Sequence, residues 1–126
     1  MKNKRIYVLV VDDEDVMRNL FTDLLTEQGY EVIAVKNGRE AVEKVKEINF
    51  VIAFIDVHMP VMNGVETLRV IRKIKPQTRI VMMDSFPDTL IEEAKREGAI
   101  TCIHKPFEIK EVINLTEEVM EQKEAV

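Results

Sequence analysis

Apolar residues fall in five short runs: IYVLVV (6–11), EVIAV (31–35), FVIAFI (50–55), RIVMM (79–83) and ITCI (100–103). Each is rich in Val and Ile and nearly continuous in hydrophobicity, the pattern of strands covered on both faces in a parallel sheet. Between the runs, apolar residues recur at helical spacing. Val16, Leu20, Phe21 and Leu24 form the first stripe, Ala41, Val42 and Val45 the second, and Val65, Leu68 and Ile71 the third. Leu90, Ile91 and Ala94, then Ile109, Val112, Ile113 and Val119, complete the set. One stripe per segment predicts five helices that each bury a single face.

Local punctuation agrees with these boundaries. Gly29 and Gly98 stand where the first and fourth helices should end, Asp88 after Pro87 is placed to cap the fourth, and Asn63-Gly64 precedes the third. Five β-α units are too few for an eight-stranded barrel. They predict an α/β, flavodoxin-like fold: a doubly wound five-stranded parallel sheet of order 2-1-3-4-5 with five helices. Residues 1–126 read as a single domain, with 1–4 and about 122–126 as terminal tails.

Composition narrows the function classes. A net charge of -5, with both signs mixed along the chain, argues against a nucleic-acid surface. Cys102 is the single cysteine, which excludes an internal disulfide and a zinc site built on paired cysteines. The start, MKNKRIYVLVVDDED, is too short in apolar residues for a signal peptide or a membrane span. A cytoplasmic protein without membrane contact is the expectation.

Ligands of doubly wound sheets bind at the carboxyl ends of the strands. Those ends carry Asp12 and Asp13, Asp56, Asp84, and, just past the fifth run, Lys105. With strands one and three adjacent, Asp12, Asp13 and Asp56 converge. Two like charges about 4 Å apart repel by roughly 4 kcal/mol at an effective dielectric near 20, so such a cluster calls for a cation. Carboxylates suit a hard divalent ion, Mg²⁺ foremost, and Lys105 adds positive charge from the other side. A metal and a lysine beside a central carboxylate make Asp56 the candidate nucleophile for a phosphoryl group.

Three stretches, VDDE (11–14), DVHMPVMNG (56–64) and KPF (105–107), occur in order and at family-like spacing, and over essentially its whole length the chain resembles the receiver domain of bacterial two-component response regulators. The resemblance implies that Asp56 accepts a phosphoryl group from a histidine kinase or phosphotransfer protein. It implies that Asp12, Asp13, Asp56 and the backbone carbonyl of His58 hold Mg²⁺ (or Mn²⁺), that Lys105 contacts the phosphoryl oxygens, and that the bond before Pro106 is cis. An output partner would bind through about residues 88–122, and nucleic acid would not be bound directly. Such a domain is no enzyme in the ordinary sense, beyond self-phosphorylation from phosphodonors and self-dephosphorylation.

Two family positions hold atypical residues. Counting back from the motifs assigns Asp84 to the place of a Thr or Ser at the end of strand four, and Cys102 to that of an aromatic or histidine three before the lysine; Ser85 is an alternative hydroxyl one residue late. This count predicts a resting salt bridge from Asp84 to Lys105. It also raises an alternative, a phosphorylation-independent pseudo-receiver, while Asp13-x-Asp15 suggests a haloacid-dehalogenase-type phosphatase. The plain structural readings make Asp12 or its acidic neighbours a helix-terminus feature, His58 a loop residue, His104 a strand-end residue facing away from Lys105, Met59 and Met62 packing residues, and Cys102 a small core filler.

Overall fold

The computed structural model describes residues 5–85 and 89–124, with side chains to 122. Ten elements alternate: β1 Tyr7–Val11, α1 Asp15–Glu27, β2 Glu31–Val35, α2 Gly38–Glu47, β3 Phe50–Asp56, α3 Gly64–Ile74, β4 Arg79–Asp84, α4 Thr89–Arg96, β5 Thr101–His104 and α5 Ile109–Glu124. The strands form one parallel sheet of order β2-β1-β3-β4-β5, the arrangement expected from the sequence. Asp88, the expected cap of α4, lies outside the described residues. Helix α5 continues to Glu124, into the segment expected to be a tail.

The sheet divides the interior into two layers. Leu9, Val11, Ala53, Ile55, Ile80 and Met82 pack with α2, α3 and α4. Residues of the other parity, Val8, Val10, Ile52, Phe54, Val81, Met83 and Ile103, pack with Phe21, Leu24 and Leu25 of α1 and Val112 and Val119 of α5. Burial on both faces explains why β1, β3 and β4 read as unbroken apolar runs, whereas the edge strands β2 and β5 are only partly buried.

Helices α1 and α4 both end in the same glycine motif. Gly29, at φ 96°, donates its N–H to Thr26 while Tyr30 donates to Leu25; Gly98, at φ 113°, and Ala99 repeat the pattern on Lys95 and Ala94. These paired bonds satisfy the last helical carbonyls and turn the chain toward the next strand. Helix α3 begins in a capping box, in which Asn63 Oδ1 accepts from the N–H of Glu66 and Glu66 Oε1 accepts from that of Asn63. Its first residue, Gly64, donates to the carbonyl of Val57 at 2.9 Å. A Cβ on Gly64 would meet the carbonyl oxygen of Asp56 at 2.4 Å, so this helix start can sit against the end of β3 only without a side chain.

The same loop holds an unrelieved strain. Val61 is β-branched, 97% exposed, and sits at φ 70°. Two substitutions are expected to move stability in opposite directions. Gly64→Ala lowers unfolding free energy by about 1–3 kcal/mol through overpacking, and Val61→Gly raises it by up to about 1 kcal/mol by relieving the left-handed backbone. Urea unfolding of the two variants measures both signs.

Candidate functional site

Strand parity assembles the site. Asp12, Asp56 and Lys105 lie two residues beyond Val10, Phe54 and Ile103, which all face α1 and α5. Asp12 and Asp56 are buried and Asp13 is exposed, and one carboxylate oxygen from each lies within 4.8 Å of the others. Asp12 Oδ1 accepts from the N–H of Glu14 at 2.9 Å, and Arg18 donates to the Asp12 carbonyl at 2.7 Å. Asp12 is therefore not the cap of α1. Glu14 occupies that position without a side-chain cap bond, and Asp15 pairs with Arg18. Asp15 thus lies on the surface of α1, outside the cluster formed by Asp12, Asp13 and Asp56.

Lys105 enters from the opposite side of the cluster. The Lys105-Pro106 bond is cis, and Phe107 packs edge-on against Phe21 with ring centroids 5.5 Å apart. The Lys105 Nζ lies 2.9 Å from Asp12 Oδ2, 3.4 Å from Glu14 Oε1 and 3.7 Å from Asp56 Oδ2. Burial pulls the ammonium's pKa down, but the hydrogen bond and charge of Asp12, with Asp56 and Glu14, more than reverse this and leave it raised. Asp56 has the opposite problem. Burial, then the charge of Asp12, pushes its carboxyl up to about 6 against the pull of Lys105 and of the His58 N–H, which donates to Oδ1 at 3.2 Å.

This donor set consists of oxygens carrying net negative charge against one ammonium, which fits Mg²⁺ or Mn²⁺ and suits softer metals poorly. Asp12, Asp13 and Asp56 are the side chains available to hold the ion. Beside Asp13 a cleft of about 740 Å³, lined in part by Lys36, Asn37, Pro60, Val61 and Met62, leaves that side of the cluster open to approach.

The structure corrects the expectation for Asp84. Its register partner is His104, and it shares a face with Met82 and Cys102, away from the site. Asp84 Oδ1 lies 2.6 Å from His104 Nδ1 and accepts from Cys102 Sγ at 3.6 Å, while Lys105 pairs with Asp12. There is no resting Asp84–Lys105 bridge. Met83, the residue before Asp84, pairs in register with Asp56 and is fully buried. Ser85 lies in the bend after β4 and is exposed. Burial, with the neighbouring Asp84 charge, pushes the Cys102 thiol up to about 12. Glu14, Met83 and the His104–Asp84 pair were missed in the sequence. Glu14 carried a signal, being the next acid of the VDDE stretch; Met83 carried none, because β4 is apolar at both parities.

Comparison with known proteins places these features in a family. A model of the response regulator receiver domain matches residues 8–117. The chain is 40% identical over 114 residues to the chemotaxis protein CheY of Thermotoga maritima, covering 89% of this chain and 95% of that one. A solved structure of Vibrio cholerae chemotaxis protein CheY4 superposes with a TM-score of 0.86 at 31% identity, over 92% of this chain and 99% of that one. CheY of Borrelia burgdorferi, solved as a CheX-CheY-BeF3-Mg+2 complex, superposes with a TM-score of 0.83 at 29% identity, over 91% and 89% of the respective chains.

The raised Asp56 carboxyl predicts how stability varies with pH. The folded state holds this proton more tightly than the unfolded chain, so the contribution of Asp56 is most favourable below about pH 4 and declines as pH rises to about 6, the folded value. Asp56→Asn is expected to stabilise the metal-free protein by about 1–3 kcal/mol at neutral pH and by much less below about pH 4. Thermal unfolding of both forms across that range measures the difference.

Proposed function

The chain belongs to the response regulator receiver domain family, and on that footing we propose that Asp56 is its phosphoacceptor, modified by a histidine kinase or phosphotransfer protein. The observation that carries this reading is a buried carboxylate, Asp56, set among Asp12, Asp13 and a lysine ammonium 3.7 Å away. In the transfer, an Asp56 oxygen attacks the phosphorus of a phosphohistidine. The P–N bond breaks, an acyl phosphate forms on Asp56, and the leaving imidazole takes up a proton. With a pKa of about 6, Asp56 is largely ionised at neutral pH and available as nucleophile.

Lys105 stands where it can exchange its contact with Asp56 for one with the phosphoryl oxygens. A bound Mg²⁺ would neutralise charge developing on the transferred group, held by Asp12, Asp13, Asp56 and the His58 carbonyl. The output face on this reading is about residues 88–122, and the setting is cytoplasmic. A phosphorylation-independent module is a second reading, favoured by a different residue than the sequence suggested. Met83, level with Asp56 across the β3–β4 ladder, has no hydrogen-bond donor to offer a phosphoryl group.

Three outcomes are expected with a small phosphodonor and Mg²⁺. Asp56→Asn abolishes labelling, because the amide cannot form the acyl phosphate; retained labelling would assign another acceptor. Asp13→Ala weakens Mg²⁺ binding measured by calorimetry and lowers labelling with it. Met83→Thr raises the extent of labelling by up to about tenfold, the scale of one hydrogen bond to a charged group, whereas Asp84→Thr leaves it unchanged.

A further inference from the structure

A second cluster of metal-ligating side chains lies on the other face of the sheet, unused by the chemistry at Asp56. Strand register builds it: Asp84 sits directly opposite His104 across the β4–β5 ladder, and Cys102 lies opposite Met82, one step along the same face. One ligand atom from each of Asp84, Cys102 and His104 lies within 4.8 Å of the others. His104 Nδ1 and Cys102 Sγ both turn onto Asp84 Oδ1, at 2.6 and 3.6 Å. The Asp84 side chain is fully buried, and among the described residues its Oδ2 has no hydrogen-bond partner. A buried carboxylate oxygen without a partner is costly and uncommon in a native protein. Ion or water ligation is the usual resolution.

We propose that Asp84, Cys102 and His104 form a second metal site, independent of the carboxylate cluster, that takes a divalent cation of the zinc class through one oxygen, one sulfur and one nitrogen. Mixed donors of this kind select zinc over Mg²⁺, which takes oxygen ligands. β5 is an edge strand and the His104 side chain is 66% exposed, so an ion can reach the cluster from solvent. Three protein ligands leave a fourth tetrahedral position for water or a group from a partner. On binding, metal bonds form to oxygen, sulfur and nitrogen, and the thiol proton is released to solvent without redox change.

The experiment titrates zinc into the intact chain with Mg²⁺ in excess, in competition with a chromogenic chelator, for the parent and three variants. The parent and Asp13→Ala are expected to bind one equivalent. Cys102→Ser and His104→Ala are expected to weaken binding by more than about tenfold, at least the loss typical of removing a supporting group around a metal. Both variants preserve the fold, since serine nearly matches cysteine in size and His104 is exposed, and circular dichroism checks this. Cobalt in place of zinc should give a sulfur-to-metal charge-transfer band that disappears in Cys102→Ser. Absence of zinc binding by the parent overturns the proposal, as does binding that survives in Cys102→Ser but is lost in Asp13→Ala, which would put the ion on the carboxylate cluster.

Discussion

The constraint on which this structure turns is the gathering of negative charge at the carboxyl ends of β1 and β3. Asp12 and Asp56 are both buried, with Asp13 and Glu14 close by, and Lys105 is the ammonium that meets Asp12, Glu14 and Asp56 together. Lys105 follows β5, which lies at the sheet edge beyond β4, and Phe107 after it packs on Phe21. The loop chemistry around the site is therefore part of the electrostatic solution. Without Lys105, the repulsion among buried carboxylates would fall on a fold whose total stability is only about 5–15 kcal/mol.

Asp56 shows that this solution is partial. Its raised carboxyl means that the ionised form is disfavoured in the metal-free fold even with Lys105 beside it. The protein thus keeps a destabilising charge at the carboxylate proposed as its phosphoacceptor. Gly64 and Val61 belong to the same compromise. The helix start at Gly64 crowds the end of β3 so closely that no side chain fits, and the loop between them passes through a left-handed valine. Strain of this kind persists where the surrounding structure fixes the chain for a purpose other than stability.

Most of the fold was legible because each signal was local. Continuous Val/Ile runs marked strands, single stripes marked helices, and Gly29 and Gly98 marked two helix ends. The acidic strand ends followed from the strand boundaries. What could not be read was which face each residue of β4 serves. In a strand buried on both sides, the residues of both parities are apolar, so alternation leaves no trace, and a shift of one residue in the count exchanges the two faces. Counting back from the motifs placed Asp84 at the strand end but could not tell that its side chain turns to His104 and not to Lys105. Only the pairing of Asp56 with Met83 fixes the parity, and that pairing is a property of the sheet, not of any short segment.

The consequence is a division of labour between two consecutive residues. Met83, level with Asp56 across the β3–β4 ladder, is buried in the apolar layer against α1 and α5. Asp84 faces the α3 and α4 side, where it draws Cys102 and His104 together. The backbone links the two arrangements directly, since Lys105 donates its N–H to the Asp84 carbonyl at 2.6 Å and the Val57 N–H bonds the Met83 carbonyl at 2.9 Å. The Asp84 and Met83 carbonyls thus hold the peptide units next to Lys105 and Asp56, and the His104-Lys105 peptide bond joins the two clusters directly, one side chain in each.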